Sequence, residues 1–233
     1  MSGTQQLPLG VQLNEPQSFE TFWPGPNAEA VAALRGLIAK PGAVFLYSAG
    51  GYGKTHLLQA LTRAASDAGR RAAYLDLHEF RGQPPLALEG LEQRDLVCLD
   101  SMHTAFLQTP WTLGVLRLTD ELRARGCAIA LAAKAPPERA DSVLPDLATR
   151  LSAFTVYGLK PLLDADRRAY LRERAAARGL QMSEDIAALI VSRMERSIAE
   201  LLAVVNQLDR AALAAQRKLS LPFVRQTLGL NAR

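Results

Sequence analysis

Short apolar runs alternate with longer amphipathic segments through the N-terminal part of the chain. Runs of this length, rich in Val, Leu and Ala, are typical of strands that are buried on both faces of a parallel sheet. The segments between them have the apolar spacing of helices. Strands that alternate with helices predict an α/β fold with a three-layer parallel sheet. The predicted strands lie at 43–47, 72–76, 96–100, 127–133 and 155–157.

From residue 161 onward the pattern is helical only. Polar residues that suit the start of a helix precede the predicted helical segments. These residues are Asp164, Ser183, Ser197 (in a capping box with Glu200) and Ser220. The sequence thus predicts three parts: a flexible N-terminal tail over 1–17, an α/β domain over 18–159 and a small all-helical lid domain over 160–233.

The first predicted strand leads into a glycine-rich turn, which reads Y-S-A-G-G-Y-G-K-T-H over 47–56. Glycines allow the backbone amides of such a turn to point inward around an anion, and the N-terminus of the next helix adds to the attraction. In a phosphate-binding loop the lysine reaches the outer phosphates and the hydroxyl after it ligates Mg²⁺. We therefore predict a nucleotide site formed by Gly50, Gly51, Tyr52, Gly53, Lys54, Thr55 and His56.

One position departs from the usual form of this loop, because Ser48 stands in place of the first glycine. The alternative interpretation is a glycine-rich surface turn that contains Lys54 and Thr55 by coincidence. The strand before the turn and the helix after it favour the phosphate-binding loop.

A second part of the site is predicted at Asp100, which ends the third apolar run. In phosphate-loop proteins such an acid holds the water shell of Mg²⁺ near the loop hydroxyl, here Thr55. The alternative is an aspartate that only caps the strand end. ATPases of this class place a second carboxylate next, whereas Ser101 follows here, and a hydroxyl is a poor general base at neutral pH. We expect slow or no intrinsic hydrolysis, with His103 either a substitute base or a histidine of a surface loop.

The composition is that of an ordinary globular protein, with a formal net charge of +4 at pH 7. This charge permits contact with nucleic acid, but arginines scattered along helices also suit a solvated face. Cys98 and Cys127 lie in apolar runs and are predicted to be reduced core thiols. No apolar run approaches the ~20 residues of a membrane span, and no basic region followed by an apolar one begins the chain. We expect a cytoplasmic protein with no membrane partner.

The N-terminal tail contains a glutamine followed by spaced leucines, at Gln6, Leu7 and Leu9. In a flexible segment this pattern can dock as a short linear motif. The glutamine would form hydrogen bonds with a partner, and the leucines would enter an apolar pocket.

Several stretches together resemble the DnaA-related AAA+ family, and within it the Hda family of DnaA regulatory inactivators. The loop and the start of its helix read G-Y-G-K-T-H-L-L over 51–58, and the segment over 19–27 reads F-E-T-F-W-P-G-P-N. Further similar stretches are L-V-C-L-D over 96–100, L-P-D-L-A-T-R over 144–150, Q-L-D-R over 207–210 and Q-R-K-L over 216–219. The resemblance covers nearly the whole chain.

This resemblance implies an AAA+ domain that carries ADP or ATP with Mg²⁺ and is followed by a helical lid. It implies two partners, the initiator DnaA and the β sliding clamp of DNA polymerase III, with DNA contacted only through them, and it allows a homo-oligomer. Such a regulator promotes hydrolysis of DnaA-bound ATP and prevents re-initiation of replication. Gln6, Leu7 and Leu9 fall at the clamp motif, and Arg150 matches an arginine finger that acts in trans. The alternative for Arg150 is an ion pair with a carboxylate such as Asp146.

Three departures from the family pattern leave other functions open. The tail motif continues as Gly10-Val11, which is a poor apolar anchor. Ala199 stands where the lid would present a nucleotide-sensing arginine, with only Arg196 nearby, and Ala132 stands where a polar phosphate sensor is expected. The alternatives are an autonomous AAA+ ATPase of the helicase-loader type and an adaptor whose nucleotide site is vestigial.

Overall fold

The computed structural model describes residues 17–139, 145–194 and 198–230. The chain divides into two compact units, Met1–Leu159 and Lys160–Arg233. The first unit contains every strand that the described residues form, and the second is helical.

A five-stranded sheet in the order β2-β3-β4-β1-β5 forms the centre of the first unit. Neighbouring strands are parallel throughout, which confirms the fold class predicted from the alternating pattern. The first strand thus lies between two strands from much later in the chain. The strands are β1 (Gly42–Tyr47), β2 (Ala72–Asp76), β3 (Leu96–Asp100), β4 (Ala128–Ala133) and β5 (Thr155–Gly158).

Helices cover both faces of this sheet and bury a separate apolar cluster on each. Leu46 faces the cluster that includes Leu57 and Leu61, whereas the adjacent Phe45 faces the opposite cluster with Leu99 and Leu118. Burial on both faces explains why the strands are continuously apolar rather than alternating. The helices of this unit are α1 (Ala28–Ala39), α2 (Lys54–Asp67), α3 (Thr109–Ala124) and α4 (Pro145–Leu151).

The two cysteines differ in burial. Cys98 is fully buried within β3, as predicted. Cys127 is only half-buried and precedes β4 rather than lying inside it, so the prediction of a core thiol is wrong for this residue. The strand begins one residue later than the apolar run.

The described residues of the second unit form four helices, α5 (Asp164–Ala176), α6 (Glu184–Arg193), α7 (Ile198–Ala215) and α8 (Leu221–Thr227). Side chains of Ser183 and Ser220 cap α6 and α8, as predicted. Asp164 is instead the first residue of α5, and Asp166 accepts the hydrogen bond from the backbone amide of Leu163. The predicted cap Ser197 lies outside the described residues. Among those residues, no helix is both long and apolar enough to cross a bilayer.

Candidate functional site

The glycine-rich loop between β1 and α2 is held by close packing at two glycines. Gly53 has a φ of 97°, and a Cβ on it would lie 2.6 Å from Cε2 of Phe22. A side chain on Gly50 would lie 2.8 Å from the ring of Tyr52. Gly51 has open space around it. The loop therefore requires glycine at 53 for its backbone conformation and packing, a side chain at 50 would displace the exposed Tyr52 ring, and the surface at 51 is free to approach a ligand.

The ammonium group of Lys54 is enclosed by oxygens of its own loop. It donates to the carbonyl and the hydroxyl of Ser48, both at 2.8 Å, and to the carbonyl of Gly50 at 3.2 Å. The Ser48 hydroxyl in turn donates to the Gly50 carbonyl at 2.9 Å. Ser48 thus adds hydrogen bonds where the usual glycine has none. Burial lowers the pKa of Lys54, with the charge of Asp100 acting in the opposite direction.

The carboxylate of Asp100 at the end of β3 accepts hydrogen bonds from three donors. Its Oδ2 accepts from the hydroxyl of Thr55 at 2.6 Å and from that of Tyr74 at 3.2 Å, and its Oδ1 accepts from the amide of Ser101 at 2.7 Å. Burial and then the nearby carboxylate raise the pKa of Tyr74, so its hydroxyl remains a donor. Tyr74 was missed in the sequence, although its strand is adjacent to β3 and runs parallel to it.

The loop and the carboxyl ends of β3 and β4 enclose a polar cavity of about 260 Å³. Two ammonium groups and one carboxylate face it, so its lining suits a polyanion better than an apolar ligand. The donor set also fits the predicted nucleotide and Mg²⁺, because loop amides, a lysine, a hydroxyl and a carboxylate are present together. The lining residues are Ala49, Gly50, Gly51, Lys54, Thr55, Asp100, Ser101, His103, Ala133 and Lys134.

Three residues predicted as part of this site, Tyr52, Gly53 and His56, are absent from the cavity lining. The Nε2 of His56 donates to the carbonyl of Ser18 at 2.8 Å and lies 3.3 Å from Oγ1 of Thr21. Its ring meets Phe22 edge-on at 5.3 Å. Burial lowers the pKa of His56. This histidine therefore anchors the segment before α1 on the loop helix.

His103 is part of the cavity wall rather than a histidine of a surface loop. It lies in a single 3-10 turn, Met102–Thr104, directly after the left-handed residue Ser101. Its Nδ1 is buried and has no hydrogen-bond partner within the described residues. Of the two interpretations from the sequence, the surface-loop histidine is wrong, because this turn packs against β4 at the cavity.

The cavity wall from β4 is formed by Ala133 and Lys134, not by Ala132. Ala132 is fully buried and packs in the cluster that includes Leu46. A polar side chain at 132 would thus face the core, so the absence of a sensor there follows from the strand's alternation.

Arg150 lies near the end of α4 with its side chain 53% exposed, and it is absent from the lining of the cavity. Its Nη2 lies 3.4 Å from Oδ2 of Asp120 on α3. An ion pair thus exists as the alternative suggested, but with Asp120 instead of Asp146. More than half of the guanidinium side chain remains free for another contact.

Gln6, Leu7 and Leu9 of the tail, and Arg196, lie outside the described residues. Ala199 falls in the first turn of α7.

Two family models match this chain, each over one part of it. The model described as bacterial DnaA ATPase domain matches residues 13–89, which include the glycine-rich loop. The model described as Hda, lid domain, matches residues 164–228, which span the four helices of the second unit.

Solved structures of AAA+ proteins share the fold. Domain III of DnaA from Thermotoga maritima has a TM-score of 0.72 at 19% identity, over 93% of this chain and 97% of that chain. AMPPCP-bound DnaA from Aquifex aeolicus has a TM-score of 0.69 at 21% identity, over 86% of this chain and 67% of that chain. The RuvB Holliday junction branch migration motor of Thermotoga maritima has a TM-score of 0.65 at 13% identity, over 92% of this chain and 72% of that chain. The sheet, the two family matches and these likenesses agree, and the chain is an AAA+ protein related to Hda and to DnaA.

Proposed function

We propose that this protein is a regulator of DNA replication initiation. It binds adenine nucleotide and the β sliding clamp of DNA polymerase III, and it stimulates hydrolysis of ATP held by DnaA, which prevents re-initiation. The observation that carries the proposal is the exposed Arg150, which lies outside its own cavity lining in a chain with an Hda-type lid.

Adenine nucleotide, ADP or ATP, is the ligand proposed for the cavity. DnaA relatives with the same fold have been solved with AMPPCP bound. In this chain the amides around Gly51 and the ammonium of Lys54 would hold the phosphates, and Thr55 with Asp100 would hold Mg²⁺, Asp100 through water. The bound metal would neutralise phosphate charge. The hydrogen bond between Thr55 and Asp100 orients this pair before any ligand enters.

Intrinsic hydrolysis is proposed to be slow or absent. Ser101 occupies the position after Asp100, and its backbone amide donates to the Asp100 carboxylate. A hydroxyl does not accept a proton from water effectively at neutral pH. These residues bind and orient a ligand but supply no carboxylate base, which suits a regulator better than an autonomous ATPase of the helicase-loader type. The intact contacts of Lys54 argue against a vestigial site.

Arg150 is proposed to act in trans on the nucleotide of DnaA. A guanidinium that reaches the γ-phosphate of a partner stabilises charge that develops in the transition state, and such fingers contribute about 10³–10⁵ in rate. To do so, Arg150 must leave Asp120. Their pairing is partly solvent-exposed and longer than an ideal charge-assisted hydrogen bond, so its loss costs little.

The clamp is proposed to bind the tail through Gln6, Leu7 and Leu9. DNA would be contacted only indirectly, through the clamp and DnaA. Short linear motifs bind with modest affinity, so co-localisation on clamp-loaded DNA would supply much of the effect. Deletion of the first ten residues should abolish clamp binding without a change in melting temperature.

The test combines the protein with DNA-loaded clamp and ATP-loaded DnaA, and measures ADP formation over time. Wild-type protein should accelerate ADP formation strongly, and Arg150→Ala should abolish the acceleration while it keeps clamp binding and nucleotide binding. Arg117→Ala is the matched control, since Arg117 is an exposed arginine that pairs with Glu121 on α3. Turnover by the protein alone, at the rate of the mixture, would instead favour an autonomous ATPase.

A further inference from the structure

His103 is a cavity-lining group to which the proposed function gives no role. It faces the same cavity as Lys54 and Lys134, across from the glycine-rich loop. One of its ring nitrogens is buried without a hydrogen-bond partner within the described residues. Because that nitrogen is inaccessible, the part of the half-buried ring that lines the cavity lies elsewhere on the imidazole, and it is this part that a ligand would meet.

The position of His103 relative to the loop indicates which part of a ligand it would meet. In a phosphate-binding loop the amides surround the inner phosphates, and the lysine reaches the outer ones. Ser101 and His103 follow β3, which β4 separates from β1 and its loop, so they are placed to meet the end of the phosphate chain. The side chain of Ala133 at the end of β4 donates no hydrogen bond to the cavity, whereas the imidazole of His103 carries an N–H donor.

The charges around His103 favour an anion as its partner. Burial lowers its pKa first, and the positive charges of Lys134 and Lys54 lower it further. Asp100 raises the pKa, and His78 lowers it slightly. An uncharged imidazole retains one N–H donor. When a polyanion enters and offsets the charges of the two ammonium groups, the imidazole also gains a proton more readily.

We propose that the imidazole of His103 binds the terminal phosphate of a nucleoside triphosphate in this cavity and so sets the preference between triphosphate and diphosphate. The inference rests on the proposed nucleotide site and assigns a phosphate-sensing contact to the 3-10 turn after β3. The family pattern predicted a polar sensor on β4, at position 132. Under this proposal the sensing side chain instead follows β3, the strand next to β4.

Calorimetric titrations of the full-length protein with Mg²⁺-ADP and Mg²⁺-AMPPCP test this inference. The decisive variants are His103→Leu, which keeps the volume but has no donor, and His103→Gln, which keeps an amide donor. His78→Leu is the control, because His78 is exposed and absent from the cavity lining. The melting temperature of each variant, measured separately, shows whether it has folded.

His103→Leu should bind AMPPCP about tenfold more weakly than wild type, since a hydrogen bond to a charged group is lost, while ADP affinity changes by less than about twofold. His103→Gln should recover part of the loss, and His78→Leu should match wild type. Equal losses for both nucleotides, or no loss for either, would overturn the role of His103 and leave the nucleotide site in place. A wild-type protein that binds neither nucleotide would overturn the site itself, and this inference with it.

Discussion

The hydroxyl of Thr55 donates a hydrogen bond of 2.6 Å to Oδ2 of Asp100, joining the first turn of α2 to the end of β3. Because Asp100 takes the hydroxyl hydrogen, the oxygen lone pairs of Thr55 stay available to a cation in the cavity. The same carboxylate oxygen also accepts from Tyr74. Three side chains from three elements thus fix the proposed metal site before a ligand binds.

Nucleotide binding should depend on Mg²⁺ through this pair. Asp100→Asn removes the negative charge that would attract the metal, so affinity for ADP with Mg²⁺ should fall at least about tenfold. Affinity measured in EDTA should change little. Tyr74→Phe keeps the charge and removes one donor, so its loss should be smaller. An equal drop with and without Mg²⁺ would indicate that Asp100 only supports the loop.

Lys54→Ala should remove most of the nucleotide affinity. The ammonium is the main cation of the loop, and loss of a charge-assisted contact corresponds to at least about tenfold. Titration calorimetry with ADP measures the effect, and Lys40→Ala, an exposed lysine after α1, is the matched control. Unchanged affinity in Lys54→Ala would contradict the phosphate-binding loop.

Gly53→Ala should destabilise the protein more than Gly69→Ala does. Both glycines have positive φ, 97° and 77°, so each substitution carries a backbone cost of about 1–2 kcal/mol. Only at Gly53 would the new Cβ also collide with Phe22, at 2.6 Å, whereas Gly69 has nothing within 4 Å. Thermal melting compares the two variants, and equal losses would show that Phe22 can move aside.

The stability of the protein should fall as pH decreases below about 6.5, with His56 as one cause. Burial places the pKa of the folded state below the ordinary value of 6.5. Between the two pKa values the unfolded chain binds more protons, so stability rises with pH in that window and is lost as pH falls through it. Burial lowers the pKa of His103 as well, which acts in the same direction.

Melting temperatures at pH 7.5 and pH 5.5 measure this effect. His56→Gln keeps a donor for Ser18 but cannot titrate, so it should reduce the difference between the two temperatures. His78→Gln, at an exposed site, should retain the wild-type difference. An undiminished difference in His56→Gln would assign the effect to other groups.

Arg150→Ala should leave the stability of the protein nearly unchanged. The ion pair with Asp120 joins side chains that are 53% and 42% exposed, and such pairs contribute at most about 1 kcal/mol. Chemical denaturation of Arg150→Ala and Asp120→Ala measures this, and both should lie close to wild type. A large loss in Arg150→Ala would support a structural role and weaken the proposal of a finger.

The sequence was most informative where the determinants are local. Apolar runs predicted the five strands, and the loop motif predicted Lys54 and Thr55 because the residues that matter are adjacent. The order of the strands depends on which helices pack on which face, and no local pattern specifies it. Tyr74 was missed for the same reason, since only the register of β2 beside β3 brings it to Asp100.

Errors arose where a loop or a helix end had to be placed in space. His103 follows the carboxyl end of a parallel strand, and such positions line the ligand crevice of α/β folds, so a usable signal existed. His56 was assigned to nucleotide binding because it continues the loop motif. Its side chain points instead to Ser18, a contact between residues far apart in sequence.

The position of β1 in the sheet has a consequence for how this protein is made. Gly42 lies opposite Ala128, and Val44 lies opposite Thr155, so both neighbours of β1 emerge from the ribosome long after it does. The strands β2 and β3 are close in sequence and can pair earlier, whereas closing the longer loops costs more entropy and is slower. We expect the phosphate cradle at the end of β1 to be among the last parts of its unit to form. A nascent chain that lacks β4 also lacks Ala133 and Lys134 of the cavity wall, so it should be unable to enclose a nucleotide there.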